Sequence, residues 1–267
     1  MRRILMLAAI FLLAATAFAA DAVHLRLATT TSTVDTGLLD AILPQFEHKT
    51  GLKVDVISVG TGKALKLGEN GDVDVLLVHD RPAEDAFMKD GFGSVRRDVM
   101  HNEFVIVGPA DDPARVREAA GAVDAFARIV KAGAAFVSRG DDSGTHRREI
   151  QLWKAAGVNP DAKWRLAVGQ GMGATLRIAD EKKAYCFSDD ATFAKLGPQL
   201  ALKRLFGGDK ALFNSYGVIA VSPARRPHVR AAAAMQFIEW LTGPEGQSAV
   251  RDFKINGKAL FTPDATP

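Results

Sequence analysis

Short apolar runs alternate with amphipathic stretches along nearly the whole of this 267-residue chain, and no other feature restricts the fold as much. Leu25–Ala28, Val54–Ile57 and Val73–Val78 read as strands, and the last is almost continuous in β-branched and leucine residues, as a strand buried on both faces should be. Between the first two, Val34, Leu38, Leu39, Ile42 and Phe46 recur at helical spacing until Lys49-Thr50-Gly51 stops the run. Ala64–Leu67 opens a second helix. Strand, helix, strand at this rhythm predicts an α/β fold with mostly parallel sheets, whose ligands bind beyond the carboxyl ends of the strands.

A second series of the same kind follows a strand at Phe104–Val107. It has a helix around Val123–Lys131, a strand at Ala134–Val137, a helix from about Gly144 to Ala156, and strands at Arg165–Val168 and Tyr185–Phe187 around a helix near Ala174–Lys182. Val218–Val221 is one more strand, and two helices close the chain. No flexible linker separates the halves. Two lobes, 20–104 with 217–267 and 105–216, are therefore expected to be joined by crossing strands near Glu103–Val107 and Ser215–Val218, with a cleft between them.

Where strands run into helices, four turns carry hydroxyl and glycine residues. They are Thr29-Thr30-Thr31-Ser32, Ser58-Val59-Gly60-Thr61-Gly62, Arg139 to Thr145 (RGDDSGT), and Gly171-Met172-Gly173-Ala174-Thr175. A helix start offers unpaired N–H groups and the positive end of its dipole, a natural seat for an anion. In the third turn Ser143 begins a helix, N–H groups at Gly144 and Thr145 point along its axis, and Arg139 supplies a rigid cationic fork suited to oxyanions. Each turn alone is equally an ordinary capped helix. Four in one topology favour a cage for a small oxyanion built from Thr30, Thr31, Thr61, Arg139, Ser143, Gly144, Thr145, Gly173, Ala174 and Thr175.

Other chemistries find less support. The Gly60-Thr61-Gly62-Lys63 turn lacks the upstream glycine of a nucleotide loop, since position 57 is isoleucine. His79-Asp80 ends a buried strand and points at the cleft, but it has no partner at metal-ligand spacing. Asp80 in the cleft would accept a hydrogen bond from a protonated anion and repel a fully ionised one. No nucleophile elbow is present. Trp153, Trp164 and Trp240 sit at apolar positions and read as core.

Arg2 and Arg3, the apolar run Ile4–Ala15 and the Ala17-Phe18-Ala19 signal form a secretory leader over residues 1–19, so the mature protein is expected in the periplasm. The run falls short of the roughly 20 residues a spanning helix needs, so no stable membrane insertion is expected. Losing the two arginines takes the formal charge from +3 to +1, which gives no reason to expect a nucleic-acid partner. Cys186 is the single cysteine, so no internal disulfide forms.

In this order the turns resemble the tungstate/molybdate-type substrate-binding proteins of ABC transporters, through nearly the whole mature chain. The resemblance is carried by Leu27 to Thr33 (LATTTST), Val59-Gly60-Thr61-Gly62, Asp74 to Asp80, Phe104 to Pro109, Ser138 to His146, Gly169 to Leu176, and Tyr216 to Val221. It implies a type II periplasmic binding fold, with the ligand closed between two lobes and handed to a membrane permease. In phosphate-like relatives an arginine four to six residues before Ser-Gly-Thr holds the oxyanion; Arg139, Ser143, Gly144 and Thr145 match that spacing, and Thr30, Thr31 and Thr61 match hydroxyls from the other lobe. The expected ligand is tungstate, then molybdate, with phosphate or sulfate as alternatives. The expected protein is a monomer with no cofactor and no catalysis, the competing reading being a periplasmic phosphoryl-transfer enzyme. Two positions depart from the family. After Tyr185 it usually reads Asp-Arg-Gly-Thr, where this chain has Asp189-Asp190-Ala191-Thr192, and Glu69 stands where arginine is common.

Overall fold

The computed structural model describes residues 23–159 and 164–265, so the leader expected at 1–19 lies outside the described residues. The first block of the chain runs β1 (His24–Thr30), α1 (Thr31–Asp35), α2 (Leu38–Thr50), β2 (Lys53–Val59), α3 (Thr61–Asn70), β3 (Val75–Val78) and α4 (Arg81–Lys89). A long strand, β4 (Gly93–Gly108), leads into the second block. That block holds α5 (Ala122–Lys131), β5 (Phe136–Ser138), α6 (Gly144–Ala155), β6 (Arg165–Ala167), α7 (Met172–Glu181), β7 (Tyr185–Asp189), α8 (Asp190–Leu196) and β8 (Lys203–Phe206). The chain then returns through β9 (Phe213–Val221), α9 (Ala231–Thr242), α10 (Pro244–Asp252) and β10 (Thr262–Pro263).

The strands lie in the order β2-β1-β3-β9-β4-β7-β5-β6, with β8 and β10 also paired to β4. Pairing is parallel where helices make the crossovers, β1 with β2 and β3, and β5 with β6 and β7. At the centre it is antiparallel, because β4 and β9 are the strands on which the chain leaves and returns. The sheet is thus mixed, with two parallel flanks, rather than mostly parallel. β4 pairs with β9 through Glu103 and with β7 from Phe104, so one strand serves both blocks. The return runs over 207–212, and Ser215 and Val218 already lie opposite His101 and Arg97.

Alternation along the strands builds a core on each face. Leu25 and Leu27 of β1 and Val75 and Leu77 of β3 pack with Leu38, Ile42 and Phe46 of α2 and Phe237 of α9. Ala28, Leu76 and Val78 turn the other way, against Ala64 of α3 and Phe87 of α4. In the second block Phe104 and Ile106 join Phe126, Phe136 and Trp153, whereas Val105 and Val107 join Met172 and Leu176 of α7. Burying such side chains contributes about 1.5–3 kcal/mol each, which explains why these short strands hold without disulfides. Each block is therefore a helix–sheet–helix sandwich, and the strand ends that carry the polar turns face one another.

Candidate functional site

The first turn is a hydroxyl cluster. Thr29 Oγ1 donates to the Leu77 carbonyl at 2.8 Å, tying the end of β1 to β3. Thr30 caps α1, its Oγ1 accepting from the Thr33 N–H at 3.3 Å and lying 2.7 Å from Thr33 Oγ1 and 3.1 Å from Ser32 Oγ. His79, at the end of β3, places Nε2 3.2 Å from Thr30 Oγ1, while its Nδ1 lies 2.9 Å from Asn214 Oδ1. Desolvation, opposed by the Asn214 bond and aided by the charge of Arg139, pushes the buried imidazole down to about 4, so it is neutral.

The third turn faces this cluster. Arg139 follows β5 and is 1% exposed. Its Nη2 donates to Asp141 Oδ2 at 2.6 Å and to Thr31 Oγ1 at 3.2 Å, the second bond joining the two blocks. Asp141 Oδ1 also accepts from the Ser143 N–H at 3.3 Å, so one carboxylate orients both the arginine and the helix start. Gly140 has φ +61°, and a Cβ there would lie 2.7 Å from the Ala167 Cβ, so the sharp turn behind Arg139 requires glycine. Ser143 caps α6 by accepting from the His146 N–H at 3.2 Å. The Gly144 N–H donates to Thr61 Oγ1 at 3.2 Å, a second bond between the blocks. A Cβ on Gly144 would stand 3.3 Å from the His79 ring.

Arg139 Nε and Nη1 and Thr145 Oγ1 are buried and, among the described residues, have no hydrogen-bond partner. Polar groups in such places are nearly always satisfied, and a guanidinium edge is among the costliest to leave bare. The donors are those an oxyanion needs, set at a helix start where the dipole adds positive potential.

The other sites anticipated from the sequence are placed differently. Thr175 Oγ1 donates to the Gly171 and Gln170 carbonyls at 2.9 and 3.3 Å, a bond within its own helix. Gly173 presents its N–H to Asp35 of α1, and a Cβ on Gly173 would lie 3.6 Å from Asp35 Oδ2. Burial raises the Asp35 carboxyl, with Arg139 and the Gly173 N–H pulling it back. Ala174 follows on the half-exposed side of the same turn. Asp80, expected as a possible acceptor for a protonated anion, caps α4 and accepts from Arg147 Nη1 at 3.0 Å. Asp142 also accepts from Arg147, at 2.7 and 2.9 Å. The sequence gives no role to Asp35 or Arg147, and it places His79 at the cleft without metal partners. The signal for His79 was its position at the end of the most buried strand.

Of the two departures from the family pattern, Glu69 lies at the far end of α3, paired with Lys66 at 2.7 Å. Asp190 opens α8 beside the point where β4 changes partners, facing the Glu103 N–H. Its Oδ1 is buried without a partner, and burial with the neighbouring Asp189 pushes its carboxyl up to about 7. Among the described residues no three His, Cys, Asp or Glu side chains could hold a metal ion, and no helix is long and apolar enough to cross a membrane.

Comparison with known proteins agrees with this geometry. Residues 15–245 match the model of a PBP superfamily domain. The chain is 43% identical over 243 residues, 90% of this chain and 85% of the relative, to the tungstate-binding protein TupA of Peptoclostridium acidaminophilum. The solved tungstate ABC transporter protein from Geobacter sulfurreducens superposes with a TM-score of 0.80 at 51% identity, over 86% of this chain and 98% of that one. TupA from Desulfovibrio alaskensis G20 gives 0.79 at 47% identity, over 92% and 100%. Sequence, sheet order and the facing polar turns thus converge: the chain belongs to the tungstate-binding family of ABC transporter substrate-binding proteins, with the type II periplasmic-binding fold.

Proposed function

We propose that this protein binds a tetrahedral oxyanion, tungstate first and molybdate next, between its two lobes and delivers it to the permease of an ABC transporter. The observation that carries the reading is the buried edge of Arg139, with Nε and Nη1 unpartnered beside the unpartnered hydroxyl of Thr145. Thr30, Thr31 and Thr61 face them from the first block, and the start of α6 adds the positive end of its dipole, with the Ser143 and Gly144 N–H groups held by Asp141 and Thr61. The relatives named for tungstate support the choice of anion.

Charge-assisted hydrogen bonds contribute about 1.5–3 kcal/mol each. A handful around one dianion, less the cost of desolvation and closure, is enough to approach the about −12 kcal/mol of nanomolar binding. Arg139 is already paired with Asp141, so helix ends and hydroxyl dipoles carry much of the charge compensation. Closure joins Arg139 to Thr31, Gly144 to Thr61 and Arg147 to Asp80, and the closed face is what the permease would read. Capture and handover need no reacting group, and the protein acts as a monomer between the membranes.

A thermal-shift panel of tungstate, molybdate, sulfate, phosphate, chromate and vanadate tests the reading, because a ligand that binds only the folded state raises the melting temperature by mass action. Tungstate is expected to give the largest shift and molybdate the next. No shift with any of the six would remove the oxyanion reading.

A further inference from the structure

His79 is buried, 6% exposed, at the inner end of a cavity. Its ring stacks on Tyr216 with centroids 4.8 Å apart, lies 6.3 Å from Phe104, and is closed over by the Gly144 backbone. The two nitrogens keep different company. Asn214 donates its amide Nδ2 to Asn102 Oδ1 at 2.6 Å, which leaves Asn214 Oδ1 facing His79 Nδ1 at 2.9 Å. An oxygen there accepts, so Nδ1 carries the ring proton. Nε2 meets only hydroxyls, Thr30 Oγ1 at 3.2 Å and Ser32 Oγ at 3.5 Å. A hydroxyl donates to a bare ring nitrogen and accepts from a protonated one. Protonating Nε2 therefore needs no movement of a heavy atom, only the rotation of an O–H bond.

The charges around the ring set the balance. Arg139 approaches from the loop after β5, with Asp141 opposing it. Asp80, Arg81, Arg147, Arg148 and Lys210 border the same cavity of about 380 Å³ as His79. Tyr216 on β9 and Asn102 on β4 are neutral, the end of β1 presents only hydroxyls, and the one charged side chain of α1, Asp35, lies toward Arg139 and Gly173. With no anion bound, burial and Arg139 hold the ring neutral. A dianion seated on Arg139 reverses the sign of the local field and favours the imidazolium.

We propose that His79 takes up a solvent proton at Nε2 when the oxyanion binds, so that the Thr30 hydroxyl stops donating to the ring and its proton turns to the anion. The idea rests on the oxyanion reading above and supplies the second positive charge that the Arg139–Asp141 pair withholds. His79 acts through that hydroxyl, as a positioning residue and counter-charge.

Calorimetric titration with molybdate at pH 6, 7 and 8, in buffers of unlike ionisation enthalpy, counts the protons. Uptake should approach one proton per anion at pH 6 and decline as pH rises, with affinity falling in parallel. His79→Gln should still bind, several-fold more weakly, with no uptake and no pH slope. Binding by the wild type without buffer-dependent heat would overturn the inference alone, as would unchanged uptake in His79→Gln. Imidazole nitrogen NMR of the wild type gives a check that needs no variant: Nε2 should move from an unprotonated to a protonated position on adding molybdate, and a resonance that stays put overturns the inference. If neither molybdate nor tungstate binds, the reading of the site falls and this inference with it.

Discussion

The starts of α6 and α7 look alike in sequence, each a small-residue turn with a threonine in the first turn of the helix, yet they end in different states. At α6, Thr145 Oγ1 and two nitrogens of Arg139 remain buried and unpartnered. At α7, Thr175 bonds its own turn and the Gly173 N–H faces Asp35 from the other block. At one helix start polar groups are left buried and unsatisfied, and at the other a carboxylate of the first block stands against the turn. A helix dipole and a glycine do not make an anion site; whether the donors are already committed decides it. The start of α8 extends the series, with Asp189 as cap and the buried Asp190 carboxyl filling the place behind it.

The most severe challenge to this contrast is Arg139→Ala. Losing two charge-assisted bonds of about 1.5–3 kcal/mol each should weaken oxyanion binding by about a hundredfold or more, with the fold retained. Calorimetry showing unchanged affinity would take Arg139 out of the site. A second challenge addresses α8. The Asp190 carboxyl sits at about 7 in the folded protein against 3.8 when unperturbed, so the native state holds a proton that the unfolded chain has released between those values. Stability should therefore fall as pH rises from about 4 to about 7 and stay lower above, by up to a few kcal/mol. Asp190→Asn should raise the melting temperature by several degrees at pH 8 and little at pH 4; equal gains at both would show that the carboxyl carries no such burden. The finest comparison pairs the two threonines. Thr145→Val should weaken binding by about tenfold through one lost bond, while Thr175→Val should leave affinity within about twofold. Equal losses would mean that both helix starts touch the ligand.

Much of this molecule was legible from its residues. Strands with apolar side chains at every position, such as Val75–Val78, could only be central, and the turns at their ends marked the cleft before any coordinates. Arg139 stood out because it is the lone cation within a run of capping residues. The mixed pairing at the centre was not legible, since periodicity reports burial and not strand direction. Nor was the carboxylate against α7, because Asp35 and Gly173 are far apart in sequence and meet only when the blocks do. His79 was legible as the end of a buried strand pointing at the cleft, but its hydroxyl and amide neighbours come from β1, α1 and β9, which spacing along the chain does not reveal.

β4 belongs to both halves of the sheet, and that shared membership limits how the protein can open. Paired with β9 up to Glu103 and with β7 from Phe104, it is clamped on either side of a single peptide link. Rotation of one half against the other must be absorbed there and in the return at 207–212, like a torsion bar gripped at both ends. Asp190, at the point where β4 changes partners, is placed to alter the stiffness of that link.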